Sequence, residues 1–225
     1  MQTYHKINSL YKRHVDGKKK GKLIEGEWAT PEIGYLSNNL WEFTEKVDGT
    51  NIRVGYTPGM VVFGGRTEKS ELPGPLSEWL MANLTAEVFA NAGFEDGVTL
   101  YGEGYGPKIQ SGENYSPSQK FVLFDVKIGD FWLSRPNVID VASKLGLDAV
   151  PVIGRGTLFD AMDIVRSGFI FNNAGGIERY GRGTLQSAWG DFDAEGIVAR
   201  PVVDMFDRFG NRIITKIKKV DFNGT

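Results

Sequence analysis

Short runs of β-branched and aromatic residues, each closed by Gly, Pro, Asn or Asp, constrain this chain more than any other feature. Asn51 to Tyr56, Met60 to Phe63, Val98 to Gly102, Phe121 to Ile128, Gly196 to Ala199 and Arg212 to Ile217 all have this character. Thr57-Pro58-Gly59 reads as a hairpin turn between the first two. The unbroken apolar stretch Phe121-Val122-Leu123-Phe124 reads as a strand buried on both faces. Three stretches carry helical spacing instead. The first runs from about Pro75 to Ala92, repeats Leu76, Leu80, Leu84 and Val88, and ends near Gly93. The second is Asn137 to Leu145, after Pro136 and before a C′ glycine, Gly146. The third is Leu158 to Ser167, with Thr157 as N-cap and Gly168 closing it. Their Leu and Met stripes read as core. Strands interrupted by isolated helices, without βαβ alternation, predict an α+β fold of largely antiparallel sheets flanked by helices. No repeat or linker divides the 225 residues, so a single domain over residues 1–225 is expected, opening on a basic segment to about residue 24.

Composition narrows the chemistry. There is no cysteine, hence no disulfide framework and no thiolate metal site. His5 and His14 are the only imidazoles, too few for a zinc enzyme. A metal, if used, is a hard ion held by oxygen, most simply Mg²⁺. No apolar stretch approaches the roughly 20 residues of a membrane span, and the start lacks a signal-peptide core, so a soluble cytoplasmic protein is expected. Net charge is −2, yet Met1 to Ile24 carries Lys6, Lys12, Arg13, Lys18, Lys19, Lys20 and Lys22 against Asp16 alone. Such a segment either tracks phosphates or is a solvated, partly mobile arm.

The run Glu45-Lys46-Val47-Asp48-Gly49-Thr50-Asn51 suits a nucleophilic lysine at a tight turn entering a strand. With a reference pKa of about 10.4, a lysine is nearly all ammonium at neutral pH. It attacks only where neighbouring cations or desolvation release its proton. Further polar signatures follow strand-like runs: Gly65-Arg66-Thr67, Tyr101-Gly102-Glu103-Gly104, Phe124-Asp125, Glu195-Gly196-Ile197-Val198, and Lys216-Ile217-Lys218. Two lysines two residues apart in a strand share a face. Taken singly, Asp-Gly is a turn, Glu-Gly-Ile-Val any strand entry, and Lys-x-Lys a solvated face.

In this order, the signatures resemble the covalent nucleotidyltransferase superfamily of polynucleotide ligases and capping enzymes, and within it the RNA ligase 2 type. Lys46-x-Asp48-Gly49 matches the first motif, Phe121 to Asp125 the third, Glu195 to Val198 the fourth and Lys216 to Lys218 the fifth. Asn51 is similar to RNA ligases, where DNA ligases generally have arginine. Many RNA ligases of this type have histidine at the position of Asp48. Family members usually carry a further C-terminal domain; none is expected here, which weakens sealing from ATP more than lysine adenylylation and leaves room for an accessory protein.

The resemblance implies three steps: lysyl-AMP formation from ATP, transfer of AMP to a 5′-phosphate, and attack by a 3′-hydroxyl. It casts Lys46 as nucleophile, with Lys216 and Lys218 and a divalent ion (Mg²⁺, or Mn²⁺) disfavouring its charged form and stabilising the α-phosphate. Glu195 and Asp48 are the implied metal carboxylates. For ATP it implies Arg66 on phosphate or ribose oxygens, Glu103 on ribose hydroxyls, Phe121 stacked on adenine and the backbone by Glu45 on the purine edge; Asn51 orients the 5′-phosphate. The partners are RNA or DNA ends. A minimal DNA nick ligase, a GTP-using capping enzyme and a nucleic-acid-binding protein without catalysis are the rival readings. Gly102-x-Gly104-x-Gly106 lacks dinucleotide-fingerprint spacing, and Gly17 to Lys22 lacks that of a P-loop. The Gly-rich segment Ala174 to Thr184, with Arg179 and Arg182, reads as a basic surface loop.

Overall fold

The computed structural model describes residues 1–171, 177–179 and 183–222. The chain folds as two compact units, one of Met1–Tyr4 with Val47–Val150, the other of His5–Lys46 with residues from Pro151 onward. Each has its own sheet and its own apolar core. Of the expected basic loop from Ala174 to Thr184, residues 174–176 and 180–182 lie outside the described residues, and Ile177–Arg179 is a short strand.

In the first unit the strands run in the order Asp148–Ala149, Lys120–Ile128, Val98–Tyr105, Thr50–Thr57, Met60–Gly64, with Phe131–Trp132 paired to Lys120–Ile128. All but the Asp148–Ala149 pairing are antiparallel. The apolar residues of Lys120–Ile128 explain its interior place: Phe121, Val122, Leu123 and Val126 are buried, and helices pack onto the strand. The single helix expected from Pro75 to Ala92 is two, Gly74–Asn83 and Ala86–Asn91. The four-residue leucine spacing continues across the break. However, Thr85 is an N-cap whose side chain accepts from Val88 N–H, and it starts a new helix there. The next helix, Arg135–Lys144, begins two residues earlier than expected, with Ser134 as N-cap and Pro136 in its first turn.

The second unit is built on the strand order Asn8–Ser9, Thr215–Lys218, Gly196–Pro201, Trp41–Glu45, Val152–Gly156. Trp41–Glu45 is an interior strand buried along its whole length, although its polar Glu42, Thr44 and Glu45 hide it from a hydrophobic search. Helix Leu158–Ser167 covers this sheet, burying Leu158, Ala161, Met162, Ile164 and Val165 in the core that holds Trp41, Phe43, Ile197 and Ile217. Each such aliphatic side chain contributes roughly 1.5–3 kcal/mol of burial. Thr157 and Asp160 close a reciprocal capping box at its start, and Gly168 ends it in the left-handed conformation at φ +71°. Arg212 to Ile217 becomes strand only from Thr215; Arg212 instead bridges back to Phe206.

The N-terminal segment is packed at its start and exposed from Val15 to Lys22. Tyr4 donates from its hydroxyl to Asp125 and lies against Tyr101, Phe124 and Trp132. Residues Tyr11–Arg13 and Leu23–Trp28 form an antiparallel hairpin. Among the described residues, no helix is long and apolar enough to cross a membrane.

Candidate active site

Lys46 is placed by the register of three strands in the second unit. Glu45 pairs with Ile197, and Gly196 pairs with Lys218. Lys46 N–H donates to the Gly196 carbonyl at 2.9 Å, and Lys219 N–H to the Glu195 carbonyl at 2.9 Å. The peptide carrying Glu195 is thereby pinned from both sides. Gly196 sits at φ +154°, and a Cβ there would strike the Ile217 carbonyl, so this crossing requires glycine.

The result is a charge bridge. Lys46 Nζ lies 2.5 Å from Glu195 Oε2, and Lys218 Nζ 2.5 Å from Glu195 Oε1. One carboxylate holds two ammonium groups side by side, each side chain still partly exposed. Lys216 and Lys218 alternate with the buried Thr215 and Ile217, so both lysines lie on one strand face. Beside them, Glu45 is 2% exposed. Its carboxylate accepts from Ser187 Oγ at 2.6 Å and from Ala188 N–H at 2.7 Å. Burial pushes its carboxyl above the usual range, partly offset by those two hydrogen bonds. Ser187 and Ala188 escaped sequence reading because a lone Ser-Ala pair in a loop has no distinguishing pattern.

The first unit holds the other sequence-derived residues. Asn51 and Glu103 face each other across adjacent strands. The Asn51 side-chain oxygen is buried without a hydrogen-bond partner among the described residues, an arrangement that is costly unless a ligand supplies one. Arg66 is exposed just past the strand Met60–Gly64. The loop that carries it is held by Arg53, whose buried guanidinium donates to the Gly65 carbonyl at 2.8 Å. Asp48 Oδ2 accepts from Ser111 N–H, and Asp48 N–H donates to the Tyr115 hydroxyl. Phe121 is 2% exposed and belongs to that unit's core. A Cβ on Gly102 would collide with the Phe121 ring, and one on Gly104 with Leu76. These two glycines therefore serve internal packing.

A divalent ion has no ready-made protein cage. Among the described residues, no group of three or more His, Asp or Glu side chains converges. Both Glu195 oxygens are engaged by lysines. This donor set suits Mg²⁺ that keeps its waters and takes substrate phosphates plus one or two carboxylates, not an all-protein site.

The RNA ligase family's sequence model matches residues 39–218. The chain belongs to the RNA ligase family. No curated protein matches it in sequence. Similar solved structures include Naegleria gruberi RNA ligase: a variant with ATP and Mn (18% identity, TM-score 0.59, 84% of this chain and 51% of that one). The same enzyme with PPi matches at 19% identity and TM-score 0.59, over 84% and 52% of the two chains. A variant with AMP and Mn matches at 17%, TM-score 0.59, over 84% and 52%. At this identity the likeness establishes the fold, an α+β arrangement of mostly antiparallel sheets similar to that of an RNA ligase. The chain spans about half the length of these Naegleria ligases.

Proposed function

We propose that this chain is a cytoplasmic ATP-dependent RNA ligase that joins a 5′-phosphate to a 3′-hydroxyl through lysyl-AMP and an adenylylated RNA 5′ end. The observation that carries this reading is the bridge Lys46–Glu195–Lys218 in a member of the RNA ligase family. Lys46 Nζ, having lost a proton, attacks the α-phosphorus of ATP, and the bond to pyrophosphate breaks. The RNA 5′-phosphate then takes the AMP and restores the lysine. Finally the 3′-hydroxyl attacks the activated phosphate and releases AMP.

The residues divide these tasks. Glu195 aims Lys46 by holding its Nζ, and the Lys218 ammonium beside it opposes negative charge growing on the α-phosphate. Lys216 adds to that charge from the same strand face. When bound, Mg²⁺ or Mn²⁺ would take Glu195 as a carboxylate and would supply further charge neutralisation. Support for Mn²⁺ and ATP comes from the Naegleria structures with those ligands. Arg66 binds phosphate or ribose oxygens with its planar fork, and Glu103 accepts from ribose hydroxyls; Phe121, buried in the core, offers no free face to adenine. Asn51 orients the 5′-phosphate, and the backbone at Glu45 reads the purine edge.

The test is incubation with α-labelled ATP and Mg²⁺, a denaturing gel and peptide mapping. Label is expected on Lys46, acid-labile and base-stable as a phosphoramidate is. Sealing is expected on nicked duplexes with RNA rather than DNA at the 3′-hydroxyl strand. Absence of label on protein shown not to be already adenylylated overturns the reading.

A further inference from the structure

The hairpin Tyr11–Arg13/Leu23–Trp28 carries a tip whose chemistry the catalytic reading leaves unused. Its backbone is fixed: Gly21 N–H donates to the His14 carbonyl at 2.8 Å, His14 N–H to the Lys22 carbonyl at 3.0 Å, and Lys22 N–H to the Lys19 carbonyl at 2.9 Å. Arg13 clamps the base of the tip, donating to the Gly21 carbonyl at 2.7 Å and, with both terminal nitrogens, to Asp221 at 2.8 and 2.7 Å. On this anchored turn Lys18, Lys19, Lys20 and Lys22 are all exposed, and none has a carboxylate partner among the described residues. Nearby Lys12, by contrast, is paired with Glu27. Four like charges held by a tight turn repel one another, and Asp16 is the single acid within that turn, paired with none of them. A polyanion with closely spaced charges removes that repulsion on contact.

We infer that the tip formed by Lys18, Lys19, Lys20 and Lys22 is a sequence-independent contact for the phosphate backbone of the RNA substrate. It rests on the RNA ligase reading. Lysine, a compact point charge on a flexible stem, follows phosphates without reading bases. The tip therefore contributes affinity and salt dependence, not base preference.

The experiment is a salt titration of binding to a single-stranded 5′-phosphorylated oligoribonucleotide. It compares wild type, the quadruple variant Lys18→Ala/Lys19→Ala/Lys20→Ala/Lys22→Ala, and the matching quadruple arginine variant. Each phosphate contact on a single strand adds about 0.7 to the slope of log affinity against log salt. The alanine variant is expected to flatten that slope by about 1.4 or more, and to bind roughly tenfold or more weakly at low salt. The arginine variant is expected to retain both, since charge rather than lysine is needed. An unchanged slope in the alanine variant overturns the inference. So does lost binding to phosphatidylserine vesicles with RNA binding intact, which would reassign the tip to a membrane surface. Lysyl-AMP formation, measured in parallel, separates the two hypotheses. Labelled protein with an unchanged slope removes only the tip contact, whereas a wild type that never labels removes the ligase reading itself.

Discussion

Lys46 and Glu195 stand 149 residues apart in the chain, and Lys46 Nζ lies 2.5 Å from Glu195 Oε2. The other oxygen of the same carboxylate meets Lys218. In the proposed reading, the carboxylate that positions the nucleophile also brings a second cation next to it, where negative charge would grow on the phosphate.

Lys46→Ala removes the proposed nucleophile but leaves its backbone bond to the Gly196 carbonyl available. Covalent AMP attachment is expected to vanish while far-UV circular dichroism and the urea midpoint stay close to wild type. Persistent labelling of this variant would move the nucleophile elsewhere.

Glu195→Gln keeps the shape and removes the charge that binds two ammonium groups. With Lys46 and Lys218 left repelling each other, labelling is expected to fall by about 100-fold or more. Stability is expected to drop by about 1–3 kcal/mol, less than for a fully buried pair because both lysines are partly exposed. The double variant Glu195→Gln/Lys218→Met is expected to recover part of that stability but none of the labelling, which equilibrium denaturation and the AMP gel report separately.

Glu45 gives a pH dependence with a definite sign. Its folded pKa is raised, first by burial, above the ordinary value of 4.5. The folded protein therefore holds a proton on Glu45 that the unfolded chain has already released. The contribution to stability is complete below pH 4.5 and is lost as pH rises through the raised value. Relative to wild type, Glu45→Gln should gain stability between pH 4.5 and 7, as measured by urea unfolding at both values. A constant difference across that range would mean the carboxylate is not desolvated.

Arg53 tests the support of the Arg66 loop. Its guanidinium is 1% exposed and donates to the carbonyls of Gly65 and Met1 and to Glu68. Arg53→Ala leaves the buried Gly65 carbonyl without its donor and opens a cavity, for an expected loss of about 2–4 kcal/mol. Glu68→Gln, at the exposed end of the same ion pair, should change the urea midpoint little.

Gly102→Ala should destabilise the first unit through its collision with the Phe121 ring and the Val122 carbonyl. A loss of about 1–3 kcal/mol is expected, because backbone on the facing strand cannot yield as a flexible side chain can. Restored stability in Gly102→Ala/Phe121→Leu would identify the ring as the obstacle.

Local chemistry by itself determined much of this protein. The β-branched runs became strands and the Thr157–Gly168 signals bounded a helix to the residue, while Lys46, Glu195, Lys216 and Lys218 stood out through the resemblance of their ordered motifs to the covalent nucleotidyltransferases. Those features depend on neighbours within a few residues, where sequence spacing fixes geometry. Tertiary structure alone decided the rest. The helix expected across Leu84 breaks there because a cap at Thr85 competes with an uninterrupted apolar stripe. Strand Trp41–Glu45 is interior although Glu42, Thr44 and Glu45 are polar, because these residues find partners: Glu42 in Arg155, Thr44 in the Val198 carbonyl and Glu45 in Ser187 and Ala188. Ser187 holding Glu45, Arg53 holding Gly65 and Glu195 joining Lys46 to Lys218 are hydrogen bonds between residues whose separation carries no periodic signal. A buried polar group must find a partner, but only the register of the folded sheets determines which one.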